Sequence, residues 1–162
     1  IVINRPQGRE ARKARRVAGK TIDASMFGTD FSYEDFAYFQ RTAAAGKVKR
    51  LDDQTVDGTP MMVLEAAPEA GSSRYSKVVS WLDKGRCTLA KMAFHAKNGT
   101  LLKELTVPAA EVREVSGRWV PHRLVLDDKK RGSRTELEVV SIKIDQPLND
   151  GLFNPVTFGA GP

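Results

Sequence analysis

The chain has 162 residues and 17.9 kDa, with 41% hydrophobic and 28% charged residues and a formal net charge of +6. This is the size and composition of one ordinary globular domain with a real core, and it excludes disordered, collagen-like and disulfide-stapled chains. The charge is local, because in the first twenty residues Arg5, Arg9, Arg12, Lys13, Arg15, Arg16 and Lys20 meet only Glu10, which leaves the rest of the chain neutral.

No apolar run approaches the roughly 18 residues of a spanning helix, and the start lacks the charged, apolar and small-residue succession of a signal peptide. The chain opens without Met on Ile1-Val2-Ile3, so an N-terminus that is processed, truncated or incomplete is expected. The single Cys87 excludes an internal disulfide and a cysteine-based zinc site. Beside Arg86 it is a weak nucleophile candidate, and a small buried strand residue is the stronger reading.

The basic segment from Arg5 to Lys20 has no aromatic residues between its charges, and no helix-turn-helix or RNA-binding motif follows it. Nucleic acid is therefore not the expected partner. An acidic protein surface or anionic lipid head groups remain open beside a merely solvated strand pair, with Arg12, Arg15 and Arg16 as the contact candidates.

The stretch Phe27-Gly28-Thr29-Asp30-Phe31-Ser32-Tyr33-Glu34-Asp35 carries three carboxylates. Their spacing does not match a calcium loop, and no partner cluster marks an acid/base site, so a turn followed by a Ser32 helix cap is the favoured reading. A helix is expected over Tyr33–Ala45, with Glu34 and Asp35 in its first turn, Phe36, Phe39 and Ala43 on one face, and Gly46 as the stop.

From Lys47 on, seven alternating runs are separated by turn residues. They cover 47–55, 59–67, 74–83, 86–97, 100–115, 118–130 and 133–145, with Asp57-Gly58, Asn98-Gly99 and Ser116-Gly117 among the turns. Such a pattern predicts an antiparallel meander. Apolar residues on both sides of 74–83, and a change of polar side within 133–145, predict a strongly curved sheet covered by something other than a second sheet. His95 and His122 fall within strands and lack metal or triad spacing, so surface or satisfied core roles are expected. A short helical turn is expected at Asp150–Phe153.

Three blocks then carry a resemblance: Phe27–Asp35, Tyr75-Ser-Lys-Val-Val-Ser-Trp-Leu-Asp83, and Gly117-Arg-Trp-Val-Pro-His122, with Leu148–Phe153 as a closing turn. Together they resemble the outer-membrane lipoprotein-sorting protein family of the LolA/LolB type, over about Arg5 to Phe153. The resemblance implies an α+β fold, in which a curved antiparallel sheet forms an incomplete β-barrel with helices covering its concave face. It implies a single domain over 1–162 that lacks its N-terminal part, because the family fold usually begins with a helix and further strands.

It also implies a non-enzymatic periplasmic carrier of a Gram-negative envelope. Such a carrier binds a lipid or the acyl chains of a lipoprotein and exchanges them with an inner-membrane transporter or an outer-membrane acceptor, without cofactor or metal. Burial of acyl chain is favourable by about 0.8 kcal/mol per CH₂, so a carrier needs no chemistry of its own. The alternation places the expected acyl cavity among Met62, Leu64, Val79, Trp81, Met92, Phe94, Leu105, Leu124 and Leu126, with Phe36 and Phe39 from the covering helix. Two other readings stand beside this one. One is an interaction module docking an acidic partner through residues 5–20; the weaker is a hydrolase using Asp30 and Glu34 with His95 or His122.

Overall fold

The computed structural model describes residues 2–4, 14–16, 23–40, 46–69 and 71–153. Two short strands, β1 (Val2–Asn4) and β2 (Ala14–Arg16), pair antiparallel with each other. Helix α1 (Tyr33–Gln40) follows. The rest of the described chain is β3 (Lys47–Val56), β4 (Thr59–Ala67), β5 (Tyr75–Asp83), β6 (Thr88–Ala96), β7 (Leu101–Thr106), β8 (Val112–Val115), β9 (Arg118–Pro121), β10 (Arg123–Asp128) and β11 (Ser133–Glu138).

Seven of these strands form one antiparallel sheet in the order β11-β10-β7-β6-β5-β4-β3, a meander with β3 and β11 at its open edges. The turn residues set this path. Asp57 and Gly58 both have positive φ, 48° and 77°, as a two-residue type I′ hairpin requires, and Ser116-Gly117 repeats the pattern at 51° and 75°. Gly46 enters β3 at φ 128°, where a Cβ would lie 2.0 Å from the Ala67 carbonyl oxygen, so only glycine fits beside the end of β4.

Three expected runs are cut short. The run 100–115 breaks at Val107-Pro108, because proline has no N–H for the ladder, and a 3-10 turn at Ala109–Glu111 then leads into β8. The run 118–130 divides at His122, whose N–H bonds Glu111 O instead of a sheet neighbour. Strands β8 and β9 thus form a separate hairpin inserted between the sheet neighbours β7 and β10. The run 133–145 ends as a strand at Glu138, just where its polar side changes, and Val139 N–H turns to His122 O. The expected turn at Asp150–Phe153 is a 3-10 helix.

Pairing register fixes which residues share a face. One row runs Leu64, Ser80, Met92, Leu105, Leu126 and Thr135 across β4 to β11, and the next runs Ala66, Val78, Phe94, Lys103, Asp128 and Ser133. This face carries the main core with Phe31 and Tyr38, and Met92, Phe94, Leu105 and Leu126 are at most 1% exposed. A register shift between Tyr75 and Lys77 brings Tyr75 into the same core, instead of placing it with Val79 and Trp81 as unbroken alternation would. The opposite face holds a smaller cluster of Val63, Val79 and Ala93.

The helical cover differs from the expectation in two ways. Among the described residues one α-helix, not several, packs on the sheet, and 41–45 of the expected Tyr33–Ala45 lie outside the described residues. Its buried aromatics are Tyr33 and Tyr38, and Tyr38 meets Tyr75 and Phe94 edge-on at 6.2 and 6.5 Å. Phe36 and Phe39 are only partly buried against the margin of the core.

Candidate functional site

The segment before α1 folds by local hydrogen bonding. Phe27 and Gly28 both have positive φ, Met26 N–H bonds Phe31 O at 2.7 Å, and Ser25 bridges Ser32. Ser32 and Asp35 then form a reciprocal cap: Asp35 N–H bonds Ser32 Oγ at 3.2 Å, and Ser32 N–H bonds Asp35 Oδ2 at 2.8 Å. The turn-and-cap reading of this stretch is therefore what the backbone does.

The carboxylates also reach the sheet. Asp35 is 1% exposed and takes a salt bridge from Lys103 Nζ at 2.6 Å, together with the hydroxyl of Tyr75. Lys103 donates its second bond to the Asp30 carbonyl. Arg74 lies 3.5 Å from Asp35 Oδ1 and 3.7 Å from Glu34 Oε2, with its guanidinium 4.8 Å from the Tyr75 ring centroid. Asp30 accepts from Ser133 at 2.6 Å and Thr135 at 2.9 Å, and Arg131 lies 3.4 Å away. An apolar sheet face is thus tied to its helix by a buried polar cluster, with partners drawn from β5, β7 and β11.

Burial opposes ionisation of Asp30, but the Ser133 and Thr135 hydroxyls and the charges of Arg131 and Lys103 outweigh it and hold the carboxyl below its ordinary value. Glu34 goes the other way. Burial pushes it up to about 7, with the Ser73 hydroxyl opposing and the nearby Asp23 adding to the rise. Burial also raises Tyr38, and burial with the Asp35 charge raises Tyr75, so both phenols stay protonated donors.

The residues expected to line an acyl cavity divide between the two faces. Met62, Leu64, Met92, Phe94, Leu105, Leu124 and Leu126 share the helix side with Phe36 and Phe39. Val79 and Trp81 point to the outer face with Val63 and Ala93, because strand alternation puts them opposite Val78 and Ser80. Between α1 and the sheet, Tyr38 packs on Tyr75 and Phe94, and Phe36 and Phe39 pack against the core. Two cavities are found elsewhere: one of about 280 Å³ lined by Glu111, Arg113, Arg123, Glu136, Leu137 and Glu138, and one of about 390 Å³ beside Gly46, Lys47, Ala67, Pro68 and Glu69.

Other candidates find plain structural places. His95 Nδ1 lies 3.2 Å from Gly99 O, and the buried His122 places Nδ1 3.0 Å from Val120 O, far from any catalytic arrangement with Asp30 or Glu34 in the described contacts. Cys87 corrects the expectation of a buried strand residue. It is exposed in the turn after β5 with φ 53°, since the chain needs a left-handed residue there to enter β6. Arg12 lies outside the described residues, and Arg15 and Arg16 fall in β2, whose backbone pairing alone is described. Among the described residues no group of three or more His, Cys, Asp or Glu could hold a metal, and no helix is long and apolar enough to cross a membrane.

Sequence reasoning missed Lys103, Arg74, Tyr75 and Tyr38. A signal existed for Lys103: it stands two residues before Leu105 and so shares its inward side, and a lysine there demands a buried carboxylate.

A family model described as "Uncharacterized protein" matches residues 9–158. The chain belongs to that family. No curated protein matches it in sequence. Among solved structures it is similar to a domain from Vibrio parahaemolyticus described as a candidate outer membrane lipoprotein-sorting protein, at 25% identity and a TM-score of 0.74, with 90% of this chain and 61% of that one covered. It is also similar to a DUF1329 family protein from Desulfovibrio piger, at 23% identity and 0.79, covering 90% and 60%. A LolA superfamily protein from Nitrosomonas europaea matches at 20% and 0.67, covering 91% and 64%. The chain spans about three fifths of the length of these structures, and its fold is that of the LolA superfamily.

Proposed function

We propose that the protein carries a lipid, or the acyl chains of a lipoprotein, through the periplasm of a Gram-negative-type envelope, and that it does so as one non-enzymatic domain. The observation that carries this reading is the helix-side face. Its sheet strands bury a large apolar cluster there, and its helical cover is an eight-residue helix held by ion pairs and hydrogen bonds rather than by a second sheet. In this reading the open sheet is the wall of an incomplete barrel, and α1 covers its concave side. Met62, Leu64, Met92, Phe94, Leu105, Leu124 and Leu126 form the acyl-contacting wall, with Phe36 and Phe39 at its rim. Val79 and Trp81 take no part. The fold shared with a lipoprotein-sorting domain supports the same class of cargo.

Opening α1 exposes apolar surface, and an acyl chain replaces the lost contacts at about 0.8 kcal/mol per CH₂. The cargo is exchanged with a membrane transporter or acceptor that offers a competing site. Uptake of a fluorescent fatty acid, together with mass spectrometry of lipid that co-purifies from the native envelope, tests the reading. Saturable uptake is expected; no uptake and no co-purifying lipid overturn it.

A further inference from the structure

The main sheet ends in two open edges, and they are protected differently. Edge strand β3 gathers Lys47, Lys49 and Arg50 in its first half and is broken by a register shift between Leu51 and Gln54, and both devices discourage a further strand. Beyond β11 the chain does the opposite. Val139 N–H bonds His122 O and Asp145 pairs with Arg118 at 2.9 Å, so 139–145 runs on past β10 alongside β9, yet it joins no ladder among the described residues. Its aliphatic side chains are left out: Val140 is 90% exposed and Ile142 39%. An edge of strand-forming residues that stays apolar and unpaired is a template for another strand.

Residue order selects the strand that fits. In β11 the register puts Arg134, Glu136 and Glu138 on the outer face, with Thr135 and Leu137 on the helix side. Past Glu138 the polar positions are Ser141, Lys143 and Asp145, so the polar interval lengthens once, by the single residue that a bulge at Val139-Val140 absorbs. With that bulge one side of 133–145 is polar throughout and the other is apolar. Laid antiparallel against itself about an axis between Val139 and Val140, this edge brings Arg134 opposite Asp145, Glu136 opposite Lys143 and Leu137 opposite Ile142. A twofold axis makes each of these contacts twice. A slip of the register in one direction sets Glu136 against Asp145, and in the other Arg134 against Lys143, so like charges reject the neighbouring registers.

The ion pairs within the chain leave these groups capacity to spare. Arg123 holds Glu136 through Oε2 and Arg118 holds Asp145 through Oδ2, so the second oxygen of each carboxylate has no partner among the described residues. Arg134 spends Nε and Nη2 on Asp127 and keeps Nη1, and Lys143 has no ion pair among the described residues. We infer that the edge 133–145 is a homodimer interface, at which two copies of this chain pair antiparallel and join their sheets into one. Such a contact uses the same edge on both copies, so it closes on itself and does not grow into a fibre.

Sedimentation of the full chain over a range of micromolar concentrations reads the assembly directly. A particle of twice the 17.9 kDa chain mass is expected, and a monomer at every concentration overturns the inference. Glu136→Lys and Lys143→Glu each turn attraction into repulsion at both symmetric positions, and each alone is expected to raise the dimer dissociation constant about tenfold or more. Mixed in equal amounts, the two variants meet with opposite charges again and are expected to recover the dimer as a heterodimer. Both side chains are exposed, so neither substitution removes a core contact, and circular dichroism of each variant checks the fold. A dimer untouched by either substitution, or one weakened by both and not recovered on mixing, overturns the pairing of these edges.

Discussion

The two faces of the sheet bury apolar residues by different means. On the helix side Met92, Phe94, Leu105 and Leu126 are covered by elements distant in sequence, and Asp35 there pairs with Lys103 and Tyr75. On the outer face Val63 is fully buried and Ala93 nearly so, under the stems of charged side chains paired across strands: Lys77 with Glu65, Lys91 with Glu104, and Arg134 with Asp127. Trp81 joins this layer through Gln54 at 2.8 Å and Lys91 over its ring. The outer face is covered by its own strands, whereas the inner face depends on a cover from α1 and the segment before it.

The sharpest way to break this contrast is a pair of core truncations. Phe94→Ala is expected to cost about 3–5 kcal/mol in urea unfolding, because its contacts come from several elements, while Val79→Ala is expected to cost about 1–2. Equal losses would remove the distinction between the faces. Lysine supplies the next comparison. Lys103→Met strands Asp35 without its buried partner and is expected to lose about 3 kcal/mol or more.

Glu34 sharpens the comparison through pH. Its carboxyl rises from an ordinary value near 4.5 to about 7 in the fold, so the native state binds the proton more tightly than the unfolded chain does. The stability it contributes is complete below about 4.5 and is lost as pH rises through about 7. At about 1.4 kcal/mol per pKa unit the loss is on the order of 1–3 kcal/mol. Thermal unfolding between pH 5 and pH 8 should show this fall, and Glu34→Gln should flatten it; an unchanged slope would separate Glu34 from the effect. Asp30 works in the opposite sense, since its lowered pKa gives stability above its ordinary value that is lost as pH falls through the folded value. The smallest effect belongs to the outer ladder. Lys91→Met breaks a 2.7 Å pair that remains partly solvated, and a change below about 1 kcal/mol, shrinking further in salt, is expected.

The meander was legible because each hairpin advertises itself locally: Asp57-Gly58 and Ser116-Gly117 demand left-handed turns whatever surrounds them. The helix start was equally local, with Ser32 and Asp35 capping each other three residues apart. The candidate site was half legible. Met92, Phe94, Leu105 and Leu126 do share one side, but Val79 and Trp81, expected beside them, face outward, since alternation within each strand does not say how the strands are registered against one another.

What the sequence determined by itself was the number of sheet strands, their turns, and the entry into α1, all of which depend on residues within a few positions of each other. What only the tertiary structure decided was that Pro108 and His122 lift a hairpin out of the sheet, and that Asp35, Lys103, Arg74 and Tyr75 meet beneath the helix. The contacts to Asp35 join positions 39 to 68 residues apart. A buried charge is tolerable only beside its partner, and the partner is supplied by the register of the whole sheet rather than by any local pattern.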